Sequence, residues 1–247
     1  MLKSKIAVIT GGSRGLGKAI AERFAENGAS LMLSALHAEG LEAFQCELRQ
    51  KGVAVEIFAG DLADQATSKA IVEQTIARFG TIDILVNCAG IITRTPMAKL
   101  TAAEWHRVID VNLHGTFYLS RAVLPLMQTK RAGKIINITS QMARLPHPSA
   151  SPSYEVSKAG IAALTRHLAL HYAPFNICVN AISPGSIDTD LPKSMSPEMR
   201  QKLKGAIPLQ RLGEPSEVGD LAVFLASNQS DYITGATINI SGGSLMD

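Results

Sequence analysis

A short apolar run that ends in glycines and passes at once into a helical pattern restricts the folds open to this chain more than any other feature. Ile6-Ala7-Val8-Ile9-Thr10 is rich in β-branched residues and has no polar alternation, as a strand buried on both faces requires. Beyond the glycines, Leu16, Ile20 and Phe24 recur four apart, and Asn27-Gly28 closes the stretch with a helix C-cap signal. The alternation repeats. Further strands are predicted over Leu31–Ala35, Val53–Ala59, Ile82–Val86, Lys134–Ile138, Ile177–Ile182 and Thr237–Ile240. Helices are predicted up to about Gln50, over Asp64–Phe79, Thr101–Met127, about Ser153–Ala173 and Pro215–Ser227. Strands separated by helices imply right-handed crossovers and a parallel sheet. Pro184-Gly185 opens a segment to about Pro208 that contains Pro192, Pro197 and three methionines. It is read as irregular, a mobile lid at about 185–208.

With 247 residues, 46% hydrophobic and 18% charged, the chain is long enough to bury roughly 70–75% of its unfolded surface, so one α/β domain over residues 1–247 is expected. Its 24 Lys and Arg against 21 Asp and Glu leave a net charge of +3 with no basic run, so neither nucleic acid nor an anionic membrane is expected as a partner. Cys46, Cys88 and Cys178 are widely spaced and form no metal or redox pair, which fits a reducing cytoplasm and no metal site. Met1 to Lys5 leads straight into the first strand, too short a lead for a secretion signal, and no apolar run approaches the roughly 20 residues that span a bilayer.

Thr10-Gly11-Gly12-Ser13-Arg14-Gly15-Leu16-Gly17 lies between strand and helix, where backbone N–H groups and the helix N-terminus converge on an anion. Glycine there admits positive φ and lets a pyrophosphate approach the backbone. Two other motifs overlap the turn. Gly12 to Lys18 fits a nucleotide-triphosphate loop until Ala19 takes the place of its magnesium-binding hydroxyl. Gly11-Gly12-Ser13-Arg14-Gly15 fits a nucleophile elbow, but no upstream loop supplies an oxyanion hole. What remains is Gly-x-x-x-Gly-x-Gly at Gly11, Gly15 and Gly17.

Tyr154-Glu155-Val156-Ser157-Lys158 puts a phenol and an ammonium on one helix face, and strand Ile135–Ile138 delivers Thr139-Ser140 at its carboxyl end, the ligand-binding edge of such sheets. The set suits proton exchange with a carbonyl or alcohol. A lysine cation together with an oxidised nicotinamide lowers the phenol pKa, and a serine hydroxyl shares the charge that develops on the reacting oxygen.

Thr10–Gly17, Asn87-Cys88-Ala89-Gly90, Asn112, Ser140, Tyr154 with Lys158, and Pro184-Gly185, in this order along the whole chain, resemble the short-chain dehydrogenase/reductase family. The resemblance implies a single Rossmann-type doubly wound α/β domain, a seven-stranded parallel sheet flanked by helices, and a catalytic tetrad of Asn112, Ser140, Tyr154 and Lys158, with Asn112 holding a water of the proton relay. It further implies that the cofactor is bound by Gly11, Ser13, Arg14, Gly15, Leu16, Gly17, His37, Asp61, Leu62, Asn87, Ala89, Gly90, Tyr154, Lys158, Pro184, Gly185, Ile187 and Thr189. Asp61 would meet the adenine, Asn87 and Ala89-Gly90 the adenosine ribose, and Ile187 and Thr189 the carboxamide and phosphates. Asp61 is equally placed to cap the next helix, and Asn87 to satisfy backbone groups. Cys88 and Ser241 depart from the family pattern, and the Ser140–Tyr154 loop is one residue longer than that pattern.

The expected activity is hydride transfer between NADP(H) and a small carbonyl or secondary alcohol, closest in pattern to 3-oxoacyl-thioester (acyl-carrier-protein) reductases. An NAD-dependent sugar or polyol dehydrogenase is the alternative, and a dinucleotide-sensing scaffold without turnover is a third. NADP rather than NAD follows from Ser34-Ala35-Leu36-His37, where the family's ribose-binding acid would fall on Ala35, and from Arg14 in the turn, with His37 as a further donor. Phe175 stands where carrier-dependent members carry a basic residue, which leaves Lys130 and Arg131 for an acidic carrier. Arg94 and Arg144 are candidates to meet an anionic substrate. A homotetramer is expected, because Val108, Val111, Phe117, Leu119, Val123, Ile161, Leu164, Leu168 and Leu170 are more apolar surface than a sheet alone would cover.

Overall fold

The computed structural model describes residues 1–147, 150–189 and 195–246. Its seven strands are β1 Ile6–Thr10, β2 Ser30–Ala35, β3 Val55–Ala59, β4 Ile84–Asn87, β5 Gly133–Ile138, β6 Ile177–Pro184 and β7 Thr237–Ile240. They pair in parallel in the order β3-β2-β1-β4-β5-β6-β7. Successive strands run outward one way from β1 to β3 and the other way from β4 to β7, which opens a crevice above the carboxyl ends of β1 and β4.

Helices cover both faces. On one, α1 (Gly15–Glu26), α2 (Glu39–Gln50) and α8 (Pro215–Ala226) bury Ile20, Phe24, Leu41, Phe44, Val218 and Ala222 against the sheet. On the other, α3 (Gln65–Phe79), α5 (Gly115–Lys130) and α6 (Pro152–Tyr172) bury Ile71, Val72, Leu119, Val123, Met127 and Leu168. Both core layers are dominated by apolar side chains, as buried parallel strands demand.

Three expectations need correction. The stretch Thr101–Met127 is not one helix: α4 (Ala102–Ile109) passes through a π turn, Asp110–His114, into α5. The wide turn inserts an extra residue into the helical register without interrupting the apolar period, so the pattern reads as continuous. The segment after Pro184 is not irregular throughout, because it contains α7 (Pro197–Gly205), whose amino end is capped by Ser196 Oγ accepting from Met199 N. Residues 190–194 of the expected lid lie outside the described residues. Finally, Val108, Val111, Leu119, Val123, Ile161 and Leu168 are buried within the chain itself, and Leu164 is partly covered, because α4, the π turn and α6 pack together. Only Phe117 and Leu170 of that set stay exposed, at 40% and 73%.

Candidate active site

The glycine turn is shaped by contacts that admit no side chain. Gly11 and Gly15 adopt φ of +70° and +54°. A Cβ on Gly17 would lie 2.2 Å from the Gly11 carbonyl oxygen, and one on Gly11 would lie 3.0 Å from Ala89 Cα. Gly12 N donates to Ser34 O at 3.0 Å, and Thr10 Oγ1 accepts from both Cys88 N and Ala89 N at 3.0 Å. Turn and Asn87–Gly90 segment thus form one backbone ledge over the crevice, with the N–H groups at the start of α1 facing it.

Around this ledge stand the expected cofactor residues. Arg14 is exposed in extended backbone at the N-cap of α1, and its side chain makes no capping bond. Ser13 packs on Gly40, His37 is exposed beyond β2, Leu16 is half-buried, and Leu62 is buried against Gly115. Asp61 accepts from Ala63 N at 3.0 Å and pairs with Arg107 at 2.6 Å, and despite partial burial its carboxyl is held below the usual range by these two donors. The cap of α3 is Asp64, not Asp61. The Asn87 amide turns inward and donates to Asn137 Oδ1 at 2.8 Å and Ser120 Oγ at 3.1 Å. Across the crevice Pro184 ends β6, Gly185 N donates to Ile240 O, and Ile187 is buried in a bridge to Gly213. The Thr189 methyl lies 3.9 Å from where a Gly15 Cβ would stand, so this loop reaches the glycine turn. These residues fit a dinucleotide: an open helix N-terminus, a side-chain-free cradle, and a loop that meets it from the opposite side.

The groups expected to react converge beside the ledge. Ser140 follows β5, and its Oγ accepts from Met142 N at 3.2 Å and lies close enough to the Tyr154 phenol to favour its charged form. Lys158, one turn beyond Tyr154 on α6, donates to Ile138 O at 2.8 Å, with its Nζ 5.8 Å from the tyrosine ring centre. Burial dominates both titrations. It lifts the Tyr154 phenol above its ordinary value, partly offset by Ser140, and lowers the Lys158 ammonium to about 8. In the chain alone the phenol is therefore held protonated rather than activated. Asn112, fully buried in the π turn, accepts from Ile91 N at 2.8 Å and donates to Ile91 O at 2.9 Å and Ser157 Oγ at 3.0 Å, while its own carbonyl accepts from Thr116 Oγ1 at 2.7 Å. Its amide ties the loop after β4 to α6.

Arg107, Asp188, Arg200 and Gln141, which the sequence does not single out, bear on the site, as does Cys88. Arg107 braces Asp61 from 46 positions away, and Arg200 of α7 ion-pairs with Asp188, which fastens that helix to the Ile187–Thr189 loop. Gln141 follows Ser140 directly. Cys88 lies in the ledge with its thiol pushed up to about 11 by burial. No signal within a single element announces such long-range pairs. Among the described residues no group of His, Cys, Asp or Glu is arranged to hold a metal, and no helix is long and apolar enough to cross a membrane.

A family model described as Enoyl-(Acyl carrier protein) reductase matches residues 11–244. The chain is a short-chain dehydrogenase/reductase. The 3-oxoacyl-[acyl-carrier-protein] reductase of Staphylococcus aureus is 36% identical over the full length of both chains, and that of Chlamydia muridarum is 37% identical over 98% of both. Among solved structures, a 3-oxoacyl-[acyl-carrier protein] reductase from Brucella melitensis superposes with a TM-score of 0.95 at 34% identity, covering 100% of this chain and 93% of that one. A levodione reductase gives 0.94 at 32% identity, covering 98% of each.

As a family member the chain is an oxidoreductase that moves a hydride between a nicotinamide dinucleotide and a carbonyl or secondary alcohol. A bound nicotinamide would supply the hydride. This chain's own residues are placed for the rest: Tyr154 would give the carbonyl oxygen its proton, Ser140 would bond the same oxygen as charge gathers on it, and Lys158 would place a cation beside the phenol.

Proposed function

We propose that the chain is a cytoplasmic, NADP(H)-dependent reductase of 3-oxoacyl thioesters, a homotetramer of single catalytic domains (residues 1–247) with a substrate lid at about 185–208. The observation that carries the reaction is the nearness of Ser140 to the Tyr154 phenol beside the buried ammonium of Lys158, next to a glycine cradle. A sensing scaffold has no use for a buried phenol and ammonium. NADP is favoured because β2 ends in Ala35 with no carboxylate to repel a 2′-phosphate, while Arg14 and His37 are both exposed next to the cradle. One Brucella melitensis relative, 34% identical with a TM-score of 0.92, was solved with bound NAD, so the cofactor is the point to test. Comparing kcat/KM for NADPH and NADH decides it. Arg14→Ala should weaken NADPH about 10- to 100-fold and NADH less than twofold, because only NADPH presents the extra dianion. Equal losses for both cofactors would leave Arg14 without the phosphate.

The thioester is met free rather than on an acidic carrier. Lys130, expected as a docking cation, is engaged by Thr81 Oγ1, Ile82 O and Asp83 Oδ1 at 2.9, 2.8 and 2.6 Å, and Arg131 donates to Pro174 O and lies 5.9 Å from the Phe175 ring centre. Arg94 and Arg144 are likewise already partnered. NADPH oxidation should therefore proceed with a coenzyme A or cysteamine thioester about as well as with a carrier-bound one. These engaged cations equally favour the second reading, a sugar or polyol dehydrogenase. Turnover of polyols with NAD⁺, in the absence of thioester reduction, would select that reading.

A further inference from the structure

Asn137 interrupts the apolar run of β5, is fully buried, and has its amide held at both ends. Its Oδ1 accepts from Asn87 Nδ2 at 2.8 Å, and its Nδ2 donates to Thr165 Oγ1 at 2.9 Å. The amide cannot be turned over. Thr165 already gives its one proton to Ile161 O at 2.8 Å, so its hydroxyl can only accept, and a reversed amide would set oxygen against oxygen. An amide this deep in an apolar sheet is costly unless it is satisfied, and once satisfied it fixes one packing where hydrocarbon would allow several.

The elements that Asn137 joins are the ones that build the site. Asn87 ends β4, where the Asn87–Gly90 ledge begins, and β5 itself runs on to Ser140. Thr165 lies on α6 along the face that carries Tyr154, Lys158 and Ile161, each one turn beyond the last. The strand β5 therefore grips this helix at two heights: Ile138 O holds the Lys158 ammonium at 2.8 Å, and Asn137 holds Thr165. The first grip gives way whenever the ammonium turns to another partner. The second does not depend on it. Resting on the reading of Tyr154 and Lys158 as the reacting pair, we infer that Asn137 is a positioning residue for hydride transfer, which locks α6 to the cofactor ledge so that phenol and nicotinamide meet the same carbonyl.

Thr165→Val, nearly isosteric but without the hydroxyl, frees α6 and leaves the bond between Asn137 and Asn87 in place. The hydride step is read by stopped flow at saturating cofactor and substrate, with NADPH and the N-acetylcysteamine thioester of 3-oxobutanoate, or with NAD⁺ and sorbitol where the parent turns over only that pair. Thr165→Val should slow this step about tenfold, while cofactor affinity, read by fluorescence titration, stays within about twofold. Asn137→Leu should slow it at least as much, and adding Thr165→Val to it should slow it no further. Should Asn137→Leu fail to fold, Thr165→Val decides alone. Ser120→Ala breaks another buried bond of Asn87, one that does not reach α6, so it should lower the melting temperature and leave the step unslowed. A Thr165→Val enzyme slowed no more than Ser120→Ala, or not at all, overturns the role and reduces the network to core packing. A loss of cofactor affinity of about tenfold in Thr165→Val also overturns it, by making the network a prop of the ledge alone. Tyr154→Phe as fast as the parent removes the reacting pair and this role with it, whereas an inactive Tyr154→Phe beside an unslowed Thr165→Val removes this role only. A parent that turns over neither pair has no hydride step to position, and the role falls.

Discussion

Tyr154 and Lys158 are both pushed by burial toward their neutral forms, and this sets the direction in which the unassisted site works best. A phenol held above its ordinary pKa is a ready proton donor at neutral pH and a poor acceptor. Carbonyl reduction should therefore run flat through neutral pH and decline only in alkali, whereas alcohol oxidation should climb with pH; kcat/KM profiles in both directions check this. Tyr154→Phe keeps the ring and removes the proton, so turnover should fall about 10²- to 10⁴-fold with cofactor affinity nearly unchanged. Lys158 carries a stability consequence. Its ammonium titrates at about 8 in the fold against 10.5 when unfolded, so between those values the unfolded chain binds the extra proton and stability rises with pH; below pH 8 the full penalty of the buried cation is present. Urea denaturation of Lys158→Met and of the parent, both without cofactor, should show the variant's relative stability dropping by on the order of 3 kcal/mol from pH 7 to pH 11. A difference that does not move with pH would show the ammonium to be better solvated than its surroundings indicate.

At the scale of elements, all seven strands were legible, because the central strands of a parallel sheet covered on both faces are near-continuous apolar runs, and the edge strands β3 and β7 still carry Val55, Ile57, Ile238 and Ile240 between turn residues. The residues proposed for catalysis stand out for a related reason: Tyr154 and Lys158 share one helix face, and Ser140 follows a strand end. What lay hidden were features with no local period. The π turn that carries Asn112 preserves the apolar spacing around it, and α7 buries no residue, so only its Ser196-Pro197-Glu198 start marks it. The pairs Asp61–Arg107 and Asp188–Arg200 join separate elements, and Asn87 was legible in position but not in orientation. The tightest packing in the turn is also testable. Gly17→Ala drives a methyl to 2.2 Å from backbone that does not yield, so it should cost about 1–3 kcal/mol and weaken NADPH at least tenfold, measured by thermal melting and fluorescence titration. A fully stable, fully binding alanine variant would mean that α1 shifts to accommodate it.

For the whole molecule, the proposed tetramer rests on less apolar surface than the sequence alone implied, since α4, α5 and α6 cover most of one another. Phe117 and Leu170 are the exposed remainder. Light scattering should give four times the chain mass, and Phe117→Glu with Leu170→Glu should lower it; a monomer at micromolar concentration removes the proposal. One further property follows from the bond between Gly185 N and Ile240 O, which hangs the inner wall of the crevice on the outermost strand. In a parallel sheet each added strand closes a long loop and is slow to join, and β7 pairs with β6 alone. The ledge at β1 and β4 is complete before that edge docks, whereas the wall opposite Ser140 is not. Refolding should accordingly regain helical circular dichroism first and turnover last, with a lag set by the arrival of a strand that bears none of the catalytic groups.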